Sequence, residues 1–285
     1  MRSLMMTAAA LLLAVPAFGD ATVAWKLDGF TGPESVAMDP ATGAIYVSSF
    51  GAEPMNKDGD GFISTITADG KVANLKWVTG LDAPKGMDVV GGKLYVADLD
   101  QVVEIDTASG QVTGRYPAEG AKFLNDVVAG PDGKVYVSDT FGAAVYVLDQ
   151  GKVSLFVQDP MLMGANGLMI DGGSLLVADL GDISKGFDKI TPGPVVRVDL
   201  VSKAMSAYGA DGPVGILDGI EPDGKDGVYL TDNPAGTVLQ LSPGGTAVVV
   251  ATVGAGAADL EVDAKDGLIL VPVTPQNTVI ALKLN

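Results

Sequence analysis

Residues 125–139 read NDVVAGPDGKVYVSD: a polar start, an apolar run, a glycine-containing turn and a Tyr-Val run that ends in Asp. β-Branched and aromatic residues bounded by Gly and Asp predict two short strands joined by a tight turn. The same phrase occurs six times along the chain. Its copies are residues 34–39 with 45–47, 86–89 with 94–98, 125–128 with 135–139, 166–170 with 175–179, 218–220 with 228–232, and 259–262 with 268–271.

Copies of this phrase are followed by a third apolar segment, as at 102–106, 145–149 and 238–242, and by a less regular fourth. Four strands per repeat, with repeats about 40–50 residues apart, are typical of propeller blades. Because a blade cannot bury both faces alone, the copies must close into a ring around a channel. The sequence therefore predicts an all-β, six-bladed β-propeller with four-stranded blades. The last copy ends after its third strand, so residues 22–27 are predicted to pair with it and close the ring.

Two insertions interrupt the repeat. One spans residues 51–61, and the other spans 181–189 and continues into a Pro-Gly-Pro turn at 192–194. Long loops inside a compact repeat are more often functional than incidental. We expect both insertions to flank the mouth of the channel.

The N-terminus has the pattern of an export signal. Arg2 precedes an uncharged apolar stretch at 4–17, and Ala17-Phe18-Gly19 predicts cleavage before Asp20. An uncleaved N-terminal anchor is the alternative. Residues 1–19 are thus predicted to be a signal peptide and residues 20–285 a single propeller domain. The expected location is the periplasm or the exterior of the cell.

Composition excludes several kinds of chemistry. The chain has no Cys and no His, so disulfides, thiolate or imidazole metal sites and Ser-His-Asp triads cannot form. Its 35 acidic and 18 basic residues give a formal net charge of −17, which disfavours nucleic acid and anionic membranes as partners and favours cations. Any reaction must therefore use carboxylates, amides, hydroxyls, Lys, Tyr and a metal ion.

One residue in each copy stands at the start of the predicted innermost strand. These residues are Glu34, Lys85, Asn125, Asn166, Asp218 and Asp259. All six starts lie at the same end of the channel and are expected to converge. Four of them, Glu34, Asn125, Asn166 and Asp218, are oxygen donors that suit one hard divalent cation. Ca²⁺ is the leading candidate, and Mg²⁺, Mn²⁺ or Zn²⁺ are alternatives. The other interpretation is that these residues only cap turns.

In sequence context, Pro33-Glu34, Asn125-Asp126, Asn166-Gly167 and Asp218-Gly219 resemble the metal ligands of the senescence marker protein/gluconolactonase family, which includes regucalcin. The resemblance spans nearly the whole mature chain, and it implies a six-bladed propeller with one divalent cation in its channel. It also implies hydrolysis of sugar lactones and related esters, with the metal polarising the carbonyl. Two departures stand out. Ser35 follows Glu34 where gluconolactonases often have an aromatic residue, and the Arg and His residues that bind sugar lactones have no evident counterpart.

If the site hydrolyses a lactone, two residues can be given chemical roles. In lactone hydrolysis, Asp218 would be the general base, and Lys85 would bind an acidic substrate or support the oxyanion. Alternatively, Lys85 is a solvated residue at the rim. The alternative function is a non-catalytic propeller that binds a small ligand or a protein partner around a structural metal. A further regular set, predicted to hold blade turns, is Asp98, Asp139, Asp179 and Asp232.

The first insertion contains a second candidate metal loop. Asn56, Asp58 and Asp60 occupy positions 1, 3 and 5 of a Ca²⁺ loop, and Gly61 occupies position 6. Thr67 stands at position 12 in place of Glu, which excludes a full EF-hand. The segment predicts a second, structural Ca²⁺, with an Asp-Gly hairpin turn as the alternative.

Overall fold

A computed structural model describes residues 21–186, 189–210 and 212–283. In that part of the chain, the strands form six four-stranded antiparallel sheets. The described residues include no helix long and apolar enough to cross a membrane. The predicted signal peptide lies outside them.

Each sheet is one blade. Blade 1 contains β2 (Pro33–Met38), β3 (Ile45–Ser49), β4 (Gly61–Thr67) and β5 (Lys71–Leu81). Blade 2 contains β6 (Pro84–Val90), β7 (Lys93–Asp98), β8 (Gln101–Asp106) and β9 (Val112–Pro117). Blade 3 contains β10 (Leu124–Ala129), β11 (Val135–Asp139), β12 (Ala144–Asp149) and β13 (Lys152–Gln158). Blade 4 contains β14 (Ala165–Asp171), β15 (Ser174–Asp179), β16 (Val195–Asp199) and β17 (Met205–Tyr208). Blade 5 contains β18 (Leu217–Pro222), β19 (Val228–Asp232), β20 (Thr237–Leu241) and β21 (Val248–Thr252). Blade 6 contains β22 (Glu261–Asp263), β23 (Leu268–Val273), β24 (Thr278–Lys283) and, as its outer strand, β1 (Thr22–Asp28).

The predicted six-bladed β-propeller is confirmed. Strands β2, β6, β10, β14, β18 and β22 are the first strands of their blades, and they contact one another around the ring. They are therefore the innermost strands that line the channel. The two ends of the described chain meet in blade 6, where β1 pairs antiparallel with β24 from Thr22–Lys283 to Asp28–Thr278.

Burial explains why the Tyr-Val segments are the most regular part of the repeat. Every residue of β3 and of β11 is buried, because these second strands are covered on both faces by neighbouring blades. Strands buried on both faces carry continuous apolar runs. The outer strand β1 is mostly exposed, so fewer constraints act on the sequence of fourth strands.

The hydrophobic core lies between the blades. Six apolar clusters fill the blade interfaces of the described chain. Tyr46 and Ile63 of blade 1 pack with Leu94 of blade 2, for example, and Val47 packs with Leu270 across the closure to blade 6. Burial of this apolar area is the main stabilising contribution to the ring.

Three glycines allow the innermost strands to approach one another. Gly86, Gly167 and Gly219 each follow the first polar residue of an inner strand. A Cβ at Gly167 would lie 2.4 Å from the backbone oxygen of Asp218 in the next blade. A Cβ at Gly219 would lie 2.6 Å from the backbone nitrogen of Leu260. Neighbouring backbone, and not a positive φ, therefore requires glycine at these positions.

Acidic side chains crowd the C-terminal end of the inner strands. They line a cavity of about 670 Å³, hereafter the acidic cavity. Eight carboxylates line it: Asp39, Asp88, Asp126, Glu221, Asp259, Glu261, Asp263 and Asp266. Three of them accept a backbone hydrogen bond from the adjacent blade: Asp88 from Ala129 N (2.7 Å), Asp126 from Leu168 N (2.6 Å) and Glu261 from Met38 N (2.8 Å). These bonds link strands that share no ladder.

The Glu221 carboxylate has a raised pKa and, among the described residues, lacks the backbone hydrogen bond that Asp88, Asp126 and Glu261 accept. Burial raises its pKa well above the ordinary value, and the charges of Glu261 and Asp259 raise it further. Burial likewise raises the pKa of Glu261 to about 7 and that of Asp259 to about 8. Within the described chain, the Glu221 carboxylate accepts no hydrogen bond that would offset this effect. Protonated carboxyls are therefore favoured in the folded state.

We expect Gly167→Ala to lower the free energy of unfolding by about 1–3 kcal/mol, the usual cost of overpacking. The added methyl group would collide with Asp218 O, which rigid backbone holds in place. Gly173→Ala is the matched control, since its Cβ would meet nothing within 4 Å. Urea denaturation of both variants measures the difference. Equal stabilities for the two variants would contradict this account of the inner ring.

We expect the stability of EDTA-treated protein to fall as pH rises from 5 to 8.5. Glu221 and Glu261 have raised pKa values when folded, so the folded state holds protons that the unfolded chain has released. Glu221→Gln should match the parent at pH 5 and be more stable by at least about 1 kcal/mol at pH 8.5. Exposed Glu53→Gln is the control and should keep the parental pH dependence. Thermal unfolding measured across this pH range tests the prediction. If the stability of Glu221→Gln depended on pH as steeply as that of the parent, the prediction would be contradicted.

Candidate metal centre

The four predicted ligands lie together in one cavity. Glu34, Asn125, Asn166 and Asp218 line a space of about 610 Å³ at the N-terminal end of the inner strands, hereafter the site cavity. They share one register, since each stands two residues before the position where its strand resumes pairing with the second strand, as Leu168 does with Val177. The repeat thus places one donor from each of four blades at the same level of the channel.

Hydrogen bonds orient the Asn125 side-chain amide so that its oxygen, and not its nitrogen, is available as a ligand. The Thr140 hydroxyl gives its proton to Ala165 O at 2.8 Å, so its oxygen can only accept from Asn125. Asn125 Nδ2 donates to Thr140 Oγ1 at 3.0 Å. The amide oxygen must then point the other way. Asn125 Oδ1 is buried and has no hydrogen-bond partner among the described residues.

Asn166 is oriented in the same manner. Its Nδ2 donates to Asp218 Oδ1 at 3.2 Å, and an ionised carboxylate only accepts hydrogen bonds. The second oxygen of Asp218 accepts from Asn233 Nδ2 at 2.7 Å. Asp218 is therefore held by two amides, and Asn166 retains its carbonyl oxygen as a free donor atom.

Glu34 supplies the second oxygen without a partner. Glu34 Oε2 is buried and accepts no hydrogen bond within the described chain. Burial raises the pKa of Glu34 well above its ordinary value; the Asp218 charge adds to this shift, and the Lys85 charge opposes it. Burial raises the pKa of Asp218 to about 6, against hydrogen bonds from Asn233 and Asn166 that lower it.

Lys85 lies in the same cavity and is buried, with 3% of its surface exposed, so it is not a solvated residue at the rim. Its ammonium donates to Pro54 O (2.8 Å) and Ala83 O (3.1 Å). It also lies 4.7 Å from the ring centre of Phe123. Burial lowers the pKa of Lys85, although neighbouring Glu34 and other carboxylates oppose the effect.

Asp259, the equivalent residue of blade 6, does not line the site cavity. Asp259 accepts a hydrogen bond from Ser35 Oγ at 2.7 Å and lines the acidic cavity. Two carboxylates and two amides therefore remain at the site cavity. This composition agrees with the finding that the described residues contain no metal-binding cluster of three or more His, Cys, Asp or Glu.

These residues fit a divalent cation. Buried polar atoms are normally hydrogen-bonded, and the cavity contains two buried oxygens, Glu34 Oε2 and Asn125 Oδ1, that are not. Uncharged amide oxygens and carboxylates are the ligands of hard cations. The −2 charge of Glu34 and Asp218 would neutralise such an ion.

Two of the recurring aspartates at the ends of second strands, Asp98 and Asp139, position site residues. Asp98 accepts backbone hydrogen bonds from Asp82 N and Ala83 N, which lead into β6 and Lys85. In blade 3, Asp139 binds the backbone of the loop that leads into β10 and Asn125 in the same way. Asp98 and Asp139 therefore hold turns, as predicted, while Asp179 and Asp232 accept from Gly181 N and Ala235 N in the loops after their own strands.

Sequence reasoning missed the residues that complete the cavity. Five of them directly follow the last residue of a second strand: Phe50, Thr140, Leu180, Asn233 and Thr274. The regular Asp before three of them is the signal that would have found this layer. Thr140 and Asn233 orient the candidate ligands, whereas Phe50 and Leu180 form apolar wall.

Both insertions reach the site cavity, as expected. Met55 and Pro54 of the first and Ile190 of the second line its wall. The predicted calcium loop lies in the first insertion, where Asn56, Asp58 and Asp60 are all exposed.

That loop is closed by its own hydrogen bonds. Asp58 Oδ1 accepts from Asp60 N at 3.2 Å, and Asp60 Oδ2 accepts from Ala52 N at 3.0 Å. The bonds fit the turn interpretation, and a second Ca²⁺ at Asn56, Asp58 and Asp60 stays a prediction.

Solved structures of other proteins share this fold. No protein-family profile matches the chain, and no curated protein matches it in sequence. Among solved structures, a gluconolactonase from Xanthomonas campestris is 18% identical with a TM-score of 0.67, over 94% of this chain and 91% of that one. Regucalcin from Agrobacterium tumefaciens, a calcium-binding protein, is 18% identical with a TM-score of 0.66, over 94% of both chains.

A third similar structure has a different activity. It is a catalytically inactive histidine-to-alanine variant of virginiamycin B lyase from Staphylococcus aureus with quinupristin. It is 14% identical with a TM-score of 0.61, over 92% of this chain and 99% of that one. At these identities the comparisons establish shared architecture. The chain thus has the propeller fold of the gluconolactonase and regucalcin structures, the proteins that its ordered set of candidate ligands resembles.

Proposed function

We propose that this chain is a divalent-cation-dependent hydrolase of lactones or related esters, acting in the periplasm or outside the cell. One observation carries the proposal: Glu34 Oε2 and Asn125 Oδ1 are buried without partners beside Asp218 and Lys85 in an open cavity. The fold shared with gluconolactonases supports the choice of reaction. The sequence pattern of an export signal supports the location.

Glu34, Asn125, Asn166 and Asp218 would hold the cation, with Ca²⁺ as the first choice and Mg²⁺, Mn²⁺ or Zn²⁺ as alternatives. When bound, the cation would act as a Lewis acid toward the substrate carbonyl. Thr140 and Asn233 keep the donor atoms in place, because each hydrogen-bonds a candidate ligand from outside the ring. Such supporting bonds reduce the reorganisation needed on binding.

Asp218 is the proposed general base. With a pKa of about 6, it is ionised at neutral pH and close to the value at which a base works efficiently. It takes a proton from water as the water oxygen bonds to the acyl carbon. The ester C–O bond then breaks, and the same proton passes to the departing alkoxide. A lactone gives a hydroxy acid by this route.

Lys85 is the proposed stabiliser of the carbonyl oxygen as it becomes negative. Two of its three N–H groups are held by Pro54 O and Ala83 O, so one remains for the substrate. A positively charged ammonium held in a buried site stabilises developing negative charge more strongly than the same ammonium would in water. The surrounding Phe50 and Phe123 rings limit access of solvent to the ammonium.

A binding propeller with a structural metal is the second candidate. The hydrogen bonds of Asp218 favour it, since both carboxylate oxygens already accept an amide N–H and have less capacity to accept from water. Lyase chemistry like that of the virginiamycin B neighbour is less suited. Loss of a histidine accompanies inactivity there, and this chain contains none.

We expect the purified protein to bind one divalent cation tightly at the site cavity, and Glu34→Gln or Asn125→Leu to weaken binding by about 10–100-fold or more. Each change removes an oxygen that is otherwise buried without a partner. Isothermal titration with Ca²⁺, Mn²⁺ and Mg²⁺ measures the affinity. Asp149→Asn is the control, because Asp149 is exposed at the end of β12 and lines neither cavity. Unchanged affinity in both ring variants would contradict the assignment.

We expect Lys85→Met to lower kcat for lactone hydrolysis by about 10²-fold while raising cation affinity. The side chains are similar in shape, and removal of a positive charge near Glu34 and Asp218 favours an incoming cation. Asp218→Asn should lower both kcat and cation affinity. Assays with a lactone panel and titration of the same samples separate the effects.

The binding-propeller alternative makes the opposite prediction. It expects tight cation binding without turnover of any lactone or aryl ester by the parent protein. For the hydrolase, kcat/KM should decrease on the acidic side of about pH 6, because Asp218, whose pKa is about 6 without a cation, becomes protonated. A bound cation favours the ionised carboxylate, so it moves this limb to lower pH.

A further inference from the structure

The wall of the site cavity is apolar above its polar floor. Its main side chains are Phe50, Met55, Phe123, Leu180, Ile190 and Ile216. Proline residues and Ala258 fill the spaces between them. A substrate whose carbonyl reaches the floor would therefore place its remaining atoms against hydrocarbon.

Most of the polar donors near this wall already have a partner. Thr274 Oγ1 donates to Pro33 O at 2.7 Å, and Thr140 Oγ1 donates to Ala165 O at 2.8 Å. Asn233 Nδ2 donates to Asp218, and Lys85 is held by two carbonyl oxygens. Few groups remain to pair with the hydroxyls of a sugar lactone. Each hydroxyl buried without a partner reduces affinity by about tenfold.

Part of the apolar wall comes from the two insertions that interrupt the repeat. Met55 belongs to the first, is 54% exposed and stands at the mouth of the cavity. Ile190 belongs to the second. The neighbouring Pro54 carbonyl accepts the Lys85 hydrogen bond, so the first insertion is tied to the polar floor. Segments that the six-fold repeat does not require thus supply hydrocarbon to the site.

From this arrangement we infer that the site selects lactones or esters with an alkyl or aryl substituent and discriminates against polyhydroxylated sugar lactones. The inference rests on the proposed hydrolase function. The reaction is the hydrolysis described above, in which water adds to the acyl carbon and the ring C–O bond breaks. The inserted loops contribute Met55 and Ile190 to the surface that contacts this substituent.

The test compares lactones that share one five-membered ring. The probes are γ-butyrolactone, γ-heptalactone, γ-nonalactone and D-ribono-1,4-lactone, assayed with Ca²⁺-loaded protein. We expect kcat/KM to rise by about 4-fold for each buried CH₂ along the alkyl series. The kcat/KM for ribonolactone should be lower than that for γ-butyrolactone. Ribonolactone hydrolysed as fast as γ-nonalactone would overturn the inference while leaving the hydrolase function intact.

Variants of Met55 test the wall itself. Met55→Gln keeps the length of an exposed side chain and should lower kcat/KM for γ-nonalactone about 5–10-fold without affecting γ-butyrolactone. Met55→Leu should restore the parental value. Val201→Gln is the control, since Val201 is 92% exposed and does not line the cavity. Equal effects of Met55→Gln on both lactones would contradict the assigned wall.

If the protein hydrolyses none of these lactones, the proposed function fails and binding decides the inference separately. Saturation-transfer NMR then measures binding of γ-nonalactone and ribonolactone to the Ca²⁺-loaded protein. Binding of γ-nonalactone that weakens in Met55→Gln supports the apolar cavity. Binding of ribonolactone alone, or of neither, overturns it.

Discussion

The innermost strands of neighbouring blades approach within contact distance, although no continuous hydrogen-bonded ladder joins them. At Gly86, Gly167 and Gly219 even a methyl group would lie only 2.0–2.4 Å from the next blade. The ring is therefore narrow, and its two ends acquire different chemistry. At one end, oxygen ligands from four blades line the site cavity. At the other end, carboxylates lie close together and accept hydrogen bonds from backbone N–H groups of the adjacent blade.

Chemistry at the site cavity depends on groups behind the candidate ligands. The orientation of Asn125 follows from a hydroxyl that has already given its proton to Ala165 O. The orientation of Asn166 follows from the carboxylate of Asp218. Both amides therefore present oxygen, and Asn125 Oδ1 remains without a partner, as does Glu34 Oε2. These two unpaired oxygens, beside Asn166 and Asp218 in the same cavity, are the basis of the proposed cation site.

The repeat in the sequence was sufficient to predict the fold and to bring Glu34, Asn125, Asn166 and Asp218 to one end of the channel. Periodicity carries that information, since equivalent positions in a propeller converge whatever their residue types. It could not distinguish Asp259, which accepts from Ser35 and serves the other cavity. Nor could it show that Lys85 is buried, because the carbonyl of Pro54 that receives it belongs to an insertion. Met55 and Ile190 of the apolar wall were missed for the same reason, because they belong to the insertions, whereas Phe50 and Leu180 directly follow second strands and do follow the repeat.

A crystal structure of the protein soaked with Mn²⁺, with anomalous data collected, tests the central claim most directly. The account predicts one strong anomalous peak within coordination distance of Glu34 Oε2 and Asn125 Oδ1, with Thr140 and Asn233 still bonded to their ligands. A site cavity without an ion at saturating Mn²⁺, with the Lys85 ammonium bonded to Glu34 in its place, would contradict it.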